Sequence, residues 1–520
     1  MRLLASLLAV LTISTSAQAE EIKPLQELLS AAECNPGPID GLWGGQTERA
    51  LMLLLRDSEL RIERPIKPQD IVLLQSAGLV CPPIRSTLDF VEGPFRGAFR
   101  SIASTDVRDL GCTECNPITR IIATPDFDGD GTSEIVLSME AFDSDDRPTD
   151  VPIDILVLNA DGQPYDGFRD RISRVHARQA IVADLNSDGV DDLFIAAHGK
   201  DGAPFPGEND VLILSAADGT HYDASGTHLP YLESMSHGAS AGDIDGDGDL
   251  DIVIITNAGG GRSGLSNYFL INQGDGRFEL SRGELHLPRQ AQSDNAFLTA
   301  QLVDVDQNGA VDLLLAGAGD ARQASLLIFG NGDGTFSSPI TLPIPNWRTT
   351  IFTTDIDAKD IDGDGDLDIV LLHTGRFDGK NFKGIFIQIL VNRGMKFYDE
   401  TEFRMWPQNF DDSGEFNIAH NINLVDLNAD GSLDFVVQSL NPLWKNAPGD
   451  VPPQIGLNRG NGFFDPVVQG WPRTNSWSGR QLVPISLEGN ITFAGLSLNG
   501  LNDGGFRPIG HRLFVFRRLP

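Results

Sequence analysis

Six short stretches of the chain space oxygen-bearing side chains in the way a hard cation requires. Counting from the first acidic residue, positions 1, 3, 5 and 9 are Asp126, Asp128, Asp130 and Glu134 in the first stretch. They are Asp184, Asn186, Asp188 and Asp192 in the second, and Asp243, Asp245, Asp247 and Asp251 in the third. The fourth has Asp304, Asp306, Asn308 and Asp312, and the fifth Asp360, Asp362, Asp364 and Asp368. The sixth has Asp426, Asn428, Asp430 and Asp434, and glycine stands at position 6 in every copy. Alternate side chains of a tight loop point toward one centre, and calcium takes about six to eight oxygens at ~2.3–2.6 Å. Magnesium wants fewer protein ligands in stricter octahedral geometry, so the expected ion is Ca2+, up to six of them. Protein oxygens would saturate such an ion and leave no open position facing a cleft, so its expected role is structural. The loops at Asp184, Asp304 and Asp426 each carry one carboxylate fewer and are expected to bind more weakly.

An EF-hand would need a bidentate acid at position 12 and flanking helices. Position 12 is Leu137, Ile195, Ile254, Leu315, Leu371 and Val437, all apolar, which excludes it. Plain Asp-rich turns are the simpler alternative. Six of them would crowd carboxylates at close range with no counter-ion, which costs electrostatic energy.

The elements that hold these loops follow from what surrounds them. Each loop opens into a short apolar run, such as Ile252–Ile255 or Ile369–Leu372, which reads as a strand covered on both faces. In four repeats a second pattern follows, a strand, a Gly-rich turn and a strand starting at Phe278, Phe336, Phe397 or Phe463. The period is about sixty residues with about four strands, the size of a propeller blade. Residues 88–520 then hold seven blades, the seventh being Arg480–Leu519 closed by an N-terminal strand near Leu88–Phe99. The repeats resemble the FG-GAP/VCBS repeats of the integrin α N-terminal propeller family. That resemblance implies a calcium-loaded β-propeller and leaves function open, because the fold carries adhesion proteins, lectins and domains attached to enzymes.

The rest of the composition sets limits. A net charge of −34 opposes binding to nucleic acid or to anionic membrane surfaces. Arg2, the apolar run Leu3–Ile13 and Ala17-Gln18-Ala19 form a signal-peptide pattern, cut between Ala19 and Glu20. That run is too short for a membrane span, and the expected location is periplasmic or secreted. The four cysteines then read as disulfides, Cys34 with Cys81 and Cys112 with Cys115. The segment 20–83 has a different texture: helices through Leu25–Ala32, Thr47–Leu55 and Asp70–Gly78. Its stretch from Cys34 through Asp40, Gly41, Trp43, Gly44 and Thr47 to Leu51 resembles the peptidoglycan-binding domain 1 family. The expected fold class is therefore mainly β, a seven-bladed propeller over 84–520 preceded by a small three-helix domain.

The acidic loop joins the first two strands of a blade, so the next connection lies at the opposite end. Those connections are long and varied (143–150, 200–209, 259–266, 376–383, 441–453), which places the expected ligand surface away from calcium. Trp444, Trp471 and Trp477 lie in polar surroundings suited to stacking on sugars or to packing between blades. The nine histidines form no ligand-spaced cluster in sequence, and no catalytic motif stands in a suitable context. The expectation is a binding or adhesion module and no enzyme, with peptidoglycan, another glycan or an envelope or extracellular protein as partner. The competing expectations are a propeller enzyme acting on polysaccharide, as lyase or hydrolase, and a structural envelope spacer.

Overall fold

A computed structural model describes residues 15–34, 36–43, 47, 50–51, 54–55, 58, 60, 62, 66–81, 91–92, 99–106, 116–142, 149–168, 170–257, 261–281, 297–317, 324–345, 352–375, 385–405, 419–439, 454–469, 479–498 and 511–518. The chain divides into two compact units, residues 1–89 with 402–406, and 90–401 with 407–520.

In the first unit, a helix Thr15–Ala31 and a helix Pro68–Ala77 are complete, and Thr47, Ala50, Leu51, Leu54 and Leu55 are helical. Leu25, Leu29, Ala32, Leu51, Leu54 and Leu74 form its core together with Cys34 and Cys81, which are disulfide-bonded. The Asp40-Gly41 turn is organised from inside by the buried Gln26. Its Nε2 donates to Asp40 Oδ1, Leu42 O and Thr47 Oγ1, and its Oε1 accepts from Gly41 N. The Asp-Gly signature is thus a fold determinant. No described helix is long and apolar enough to cross a membrane.

The second unit is the seven-bladed propeller. Blade 1 has strands Asn116–Ala123, Ile135–Phe142 and Leu156–Leu158; blade 2 has Ala177–Ala183, Asp192–Ala197, Val211–Ser215 and His221–Asp223. Blades 3 to 6 begin at Ser236–Gly242, Phe297–Val303, Phe352–Lys359 and Ala419–Val425, and each continues as an antiparallel meander. Blade 7 joins Gly479–Leu487, Asn490–Leu498 and His511–Arg518 to the N-terminal strand Phe99–Asp106. The closing strand therefore starts where the sequence expectation ended it, and Val91–Glu92 instead runs parallel to Phe464–Gln469 of blade 6. In blade 4 the fourth strand is Ile340–Thr341, whereas Phe336 makes a single bridge to Gly330. The 107–115 segment with Cys112 and Cys115 lies outside the described residues.

The core sits between neighbouring blades. Val253, Ile255 and Phe269 of blade 3 pack on Leu302, Leu313 and Leu315 of blade 4, and similar clusters join blade 7 to 1, 1 to 2, 2 to 3 and 4 to 5. Second strands such as Asp251–Thr256 are buried at every residue because they face a blade on each side. Side-chain amides add a polar clamp. Asn458 of blade 6 donates to Ile361 O of blade 5 and Leu433 O of its own blade, and accepts from Gly460 N and Gly462 N. Asn272 of blade 3 reaches Leu185 O of blade 2 in the same way. Asn458→Ala should destabilise the protein by about 2–3 kcal/mol, since it strands buried backbone groups; an unchanged urea midpoint would refute the clamp.

Candidate functional site

The acidic loops share one backbone design. In all six, the position 6 amide donates to Oδ2 of the position 1 Asp, from Gly131–Asp126 at 2.9 Å to Gly431–Asp426 at 2.8 Å. The position 6 glycines have φ between +83° and +95°, where a side chain is strained. Position 4 also has positive φ, yet it is Ser187, Gln307 and Ala429 in the three Asn-containing loops. Position 9 does more than the sequence suggested. The five aspartates there are 0 % exposed, and one carboxylate oxygen accepts from the position 2 amide, as in Leu185–Asp192 at 2.8 Å. The other oxygen accepts from the third strand or the residue just beyond it: Ser215, Asn272, Gly330, Asn392 and Asn458, at 2.7–2.9 Å.

Four loops bring three carboxylates together with ligand atoms within 4.8 Å of one another: Asp126, Asp128 and Glu134; Asp243, Asp245 and Asp251; Asp304, Asp306 and Asp312; Asp360, Asp362 and Asp368. The position 5 residues Asp130, Asp247, Asn308 and Asp364 stand outside these groups and cap the position 7 amide instead. In the other two loops position 3 is an amide whose Nδ2 turns to the position 5 carboxylate, Asn186 to Asp188 and Asn428 to Asp430. The three Asn-containing loops thus divide: Asn at position 5 leaves the carboxylate group intact, and Asn at position 3 does not.

These groups fit a divalent cation. Asp126 Oδ1 is buried with no hydrogen-bond donor among the described residues, which a cation would satisfy. Burial, aided by neighbouring carboxylates, pushes Glu134 up to about 7, Asp251 to about 7 and Asp312 to about 6. Without a counter-ion these acids are held toward their neutral form.

The end of the ring opposite these loops is the second place where chemistry gathers. The first strand of each of blades 2 to 7 carries a β-bulge close to its start. The extra residues include Arg178, His237, Leu298, Thr354 and Asn421, and these five line one cavity of about 40 Å³ together with Arg120 of blade 1. Bulges re-aim a side chain out of the ladder, here into the channel mouth. Deeper in, the channel widens to about 420 Å³, and its wall mixes aliphatic residues with Gln179, Gln301, Asp355, Asp357 and Asn423. There Gln179 accepts from Ala239 N, Gln301 donates to Asp357, and Asp355 accepts from Ile422 N.

Three histidines flank the mouth. His176 and His198 have ring centroids 4.1 Å apart, and His198 stacks on His237 at 5.9 Å. Arg120 donates to His176 Nε2, and His176 Nδ1 lies 3.2 Å from Glu140. His198 and His237 each donate Nδ1–H to a carbonyl, Gly199 O and Leu298 O, both at 2.9 Å. Burial first, then the adjoining arginines, hold all three well below the usual imidazole range, so they are neutral at pH 7. The sequence reading found no such cluster because its members come from three blades. The loop 200–209 helps build it: Glu208 accepts from Val175 N, His176 N and Gly199 N. Trp444, Trp471, Trp477 and the loops 376–383 and 441–453 lie outside the described residues.

An FG-GAP-like repeat family model matches residues 184–254, 243–315 and 304–371, so the chain carries FG-GAP-like repeats through blades 2 to 5. No curated protein matches the chain. Solved structures similar to it include an alpha-L-arabinofuranosidase from Fusarium graminearum, at 10% identity and TM-score 0.36 over 65% of this chain and 92% of that one. A periplasmic gluconolactonase from Pseudomonas aeruginosa has 10% identity and TM-score 0.35 over 68% and 96%. A Penicillium chrysogenum alpha-L-arabinanase has 9% identity and TM-score 0.38 over 66% and 93%. At such values these likenesses say nothing of activity.

Two predictions follow from the loops. Ala429→Gly relieves a positive φ that costs a non-glycine residue about 1 kcal/mol, so its urea midpoint should rise; a fall would contradict the loop geometry. Raised carboxyl pKa values mean that the native metal-free state binds more protons than the unfolded chain. In chelator, stability should therefore drop as pH rises from about 4, where the unfolded acids ionise, to about 7, where the folded ones do. Saturating calcium should remove that drop, adding about 2.7 kcal/mol per site at a hundredfold excess over Kd. Melting curves at several pH values that superimpose with and without calcium would exclude these loops as its sites.

Proposed function

We propose that the protein is a calcium-binding propeller of the periplasm or cell exterior that works as a binding or adhesion module. The acidic loops stiffen one end of the ring, and the channel mouth at the other end takes the ligand. One observation carries this reading: bulged residues from five successive blades line a single polar cavity at that mouth. A rigid scaffold whose positions vary blade by blade around one opening is built for recognition. The Cys34–Cys81 disulfide agrees with an oxidising compartment. The helical unit, by its resemblance to peptidoglycan-binding domains, would hold the propeller at the cell wall.

A second reading, an enzyme acting on polysaccharide, is favoured by the neutral His176 set beside Glu140 and Arg120. Accumulation of new chain ends from a bound polysaccharide would select it over simple binding.

Thr354→Trp should block the mouth and abolish glycan-array signals of the full-length protein while leaving its melting temperature within a few degrees. Signals that survive this change would place the ligand elsewhere. In a pull-down with purified peptidoglycan, a variant lacking residues 20–83 should be retained less than the full chain; equal retention would remove the wall-binding role.

A further inference from the structure

Arg178 occupies the bulge of blade 2 and lines the mouth cavity, yet it makes no hydrogen bond or ion pair among the described residues. The residue is only partly exposed, and its guanidinium carries five N–H donors in a planar fork. Asp201 and Glu140 stand close enough to offset its charge without bonding to it. Charge is thus balanced while the hydrogen-bonding capacity is left open, and unmet polar capacity in a half-buried site favours a ligand that supplies it.

The adjoining wall asks for something different. His237 donates Nδ1–H to Leu298 O, and a carbonyl can only accept, so the proton is on Nδ1 and Nε2 is an acceptor. That Nε2 has no donor among the described residues. Asp355, also on the cavity wall, accepts from Ile422 N and Ile356 N and has further acceptor capacity. A matching ligand must bring an acceptor pair for the guanidinium and donors for the imidazole and the carboxylate.

We propose that this mouth receives a carboxylate-bearing, hydroxyl-rich ligand, an acidic sugar residue, with Arg178 taking the carboxylate and His237 Nε2 accepting from a hydroxyl. Carboxylate and guanidinium pair bidentately, and the fork geometry makes arginine the suitable cation. Phosphate monoesters fit less well, because they add a second negative charge near Glu140 and Asp201. The inference rests on the mouth being the ligand face.

The test is isothermal titration of the full-length protein, in calcium buffer, with uronate tetrasaccharides of galacto, gluco and manno configuration. Each is paired with its carboxyl-reduced counterpart, which keeps the ring and loses the charge. At least one uronate should bind, and carboxyl reduction should weaken it tenfold or more. Arg178→Met should weaken it tenfold or more, and Arg178→Lys less, since charge is kept and the fork is lost. Arg171→Met, at an exposed position paired with Asp154, should bind as the parent does. Melting temperatures confirm folding, and the lysine variant serves if the methionine variant does not fold. No uronate binding at millimolar concentration, indifference to carboxyl reduction, or full binding by Arg178→Met each overturns the assignment. So does equal competition by an acidic tetrapeptide. Binding of reduced sugars that Thr354→Trp abolishes and Arg178→Met spares would overturn the acidic-sugar class and keep the mouth as ligand face. Uronate binding that Thr354→Trp leaves intact would sink both.

Discussion

A buried carboxylate at the ninth position of five acidic loops ties three pieces of backbone together. In blades 2 to 6 one oxygen holds the position 2 amide and the other an amide at or just beyond the third strand, so one aspartate fixes the loop, the strand it begins and a neighbour. Hydrogen bonds to an ionised acceptor are about twice as strong as neutral ones. Burial works against ionisation, as the upward pull on Asp251 and Asp434 to about 7 shows. The fold therefore needs a charge where its own packing disfavours one. A cation cradled by positions 1, 3 and 9 would resolve that conflict.

The two ends of the strands differ. Hydrogen bonds that link blades on the loop side run from Asn272 and Asn458 to carbonyls of the preceding blade's loop, so the metal ends of adjacent blades are coupled. At the opposite end, bulged residues such as Arg178, His237 and Thr354 leave the backbone ladder, while His237 still donates to Leu298 O of the next blade and Thr354 to Leu372 O of the partner strand.

Repetition made most of this fold legible in the sequence. Six copies of an Asp-rich loop followed by an apolar run report local geometry, and a period near sixty residues converts them into blades. Blade 7 has no acidic loop, and its closing strand was placed several residues too early because Phe99–Asp106 pairs with His511–Arg518 across almost the whole chain. Carboxylates at positions 1, 3 and 9 come together in four loops, and the position 5 side chains cap an amide, as Asp130 and Asp247 show. The Arg120, His176, His198 and His237 cluster was invisible for a different reason. No spacing rule connects residues from three blades until ring closure brings them together, and a bulge shifts the inward-facing register by one. A basic or imidazole residue recurring just before the polar inner-strand pattern, as in Arg178-Gln179 and His237-Gly238, was the available signal.

Ring closure has a temporal side. Blade 7 is assembled from Phe99–Asp106 and three strands that lie within the last stretch of the chain, the outermost partner being His511–Arg518. During synthesis the early strand must wait, unpaired, until nearly every other residue has emerged. Such distant pairing is slow, and a waiting edge is prone to the wrong partner. Six blades can stack before that moment, but the circle locks only once His511–Arg518 is in place; without that strand Phe99–Asp106 and Asn490–Leu498 would lose their shared partner.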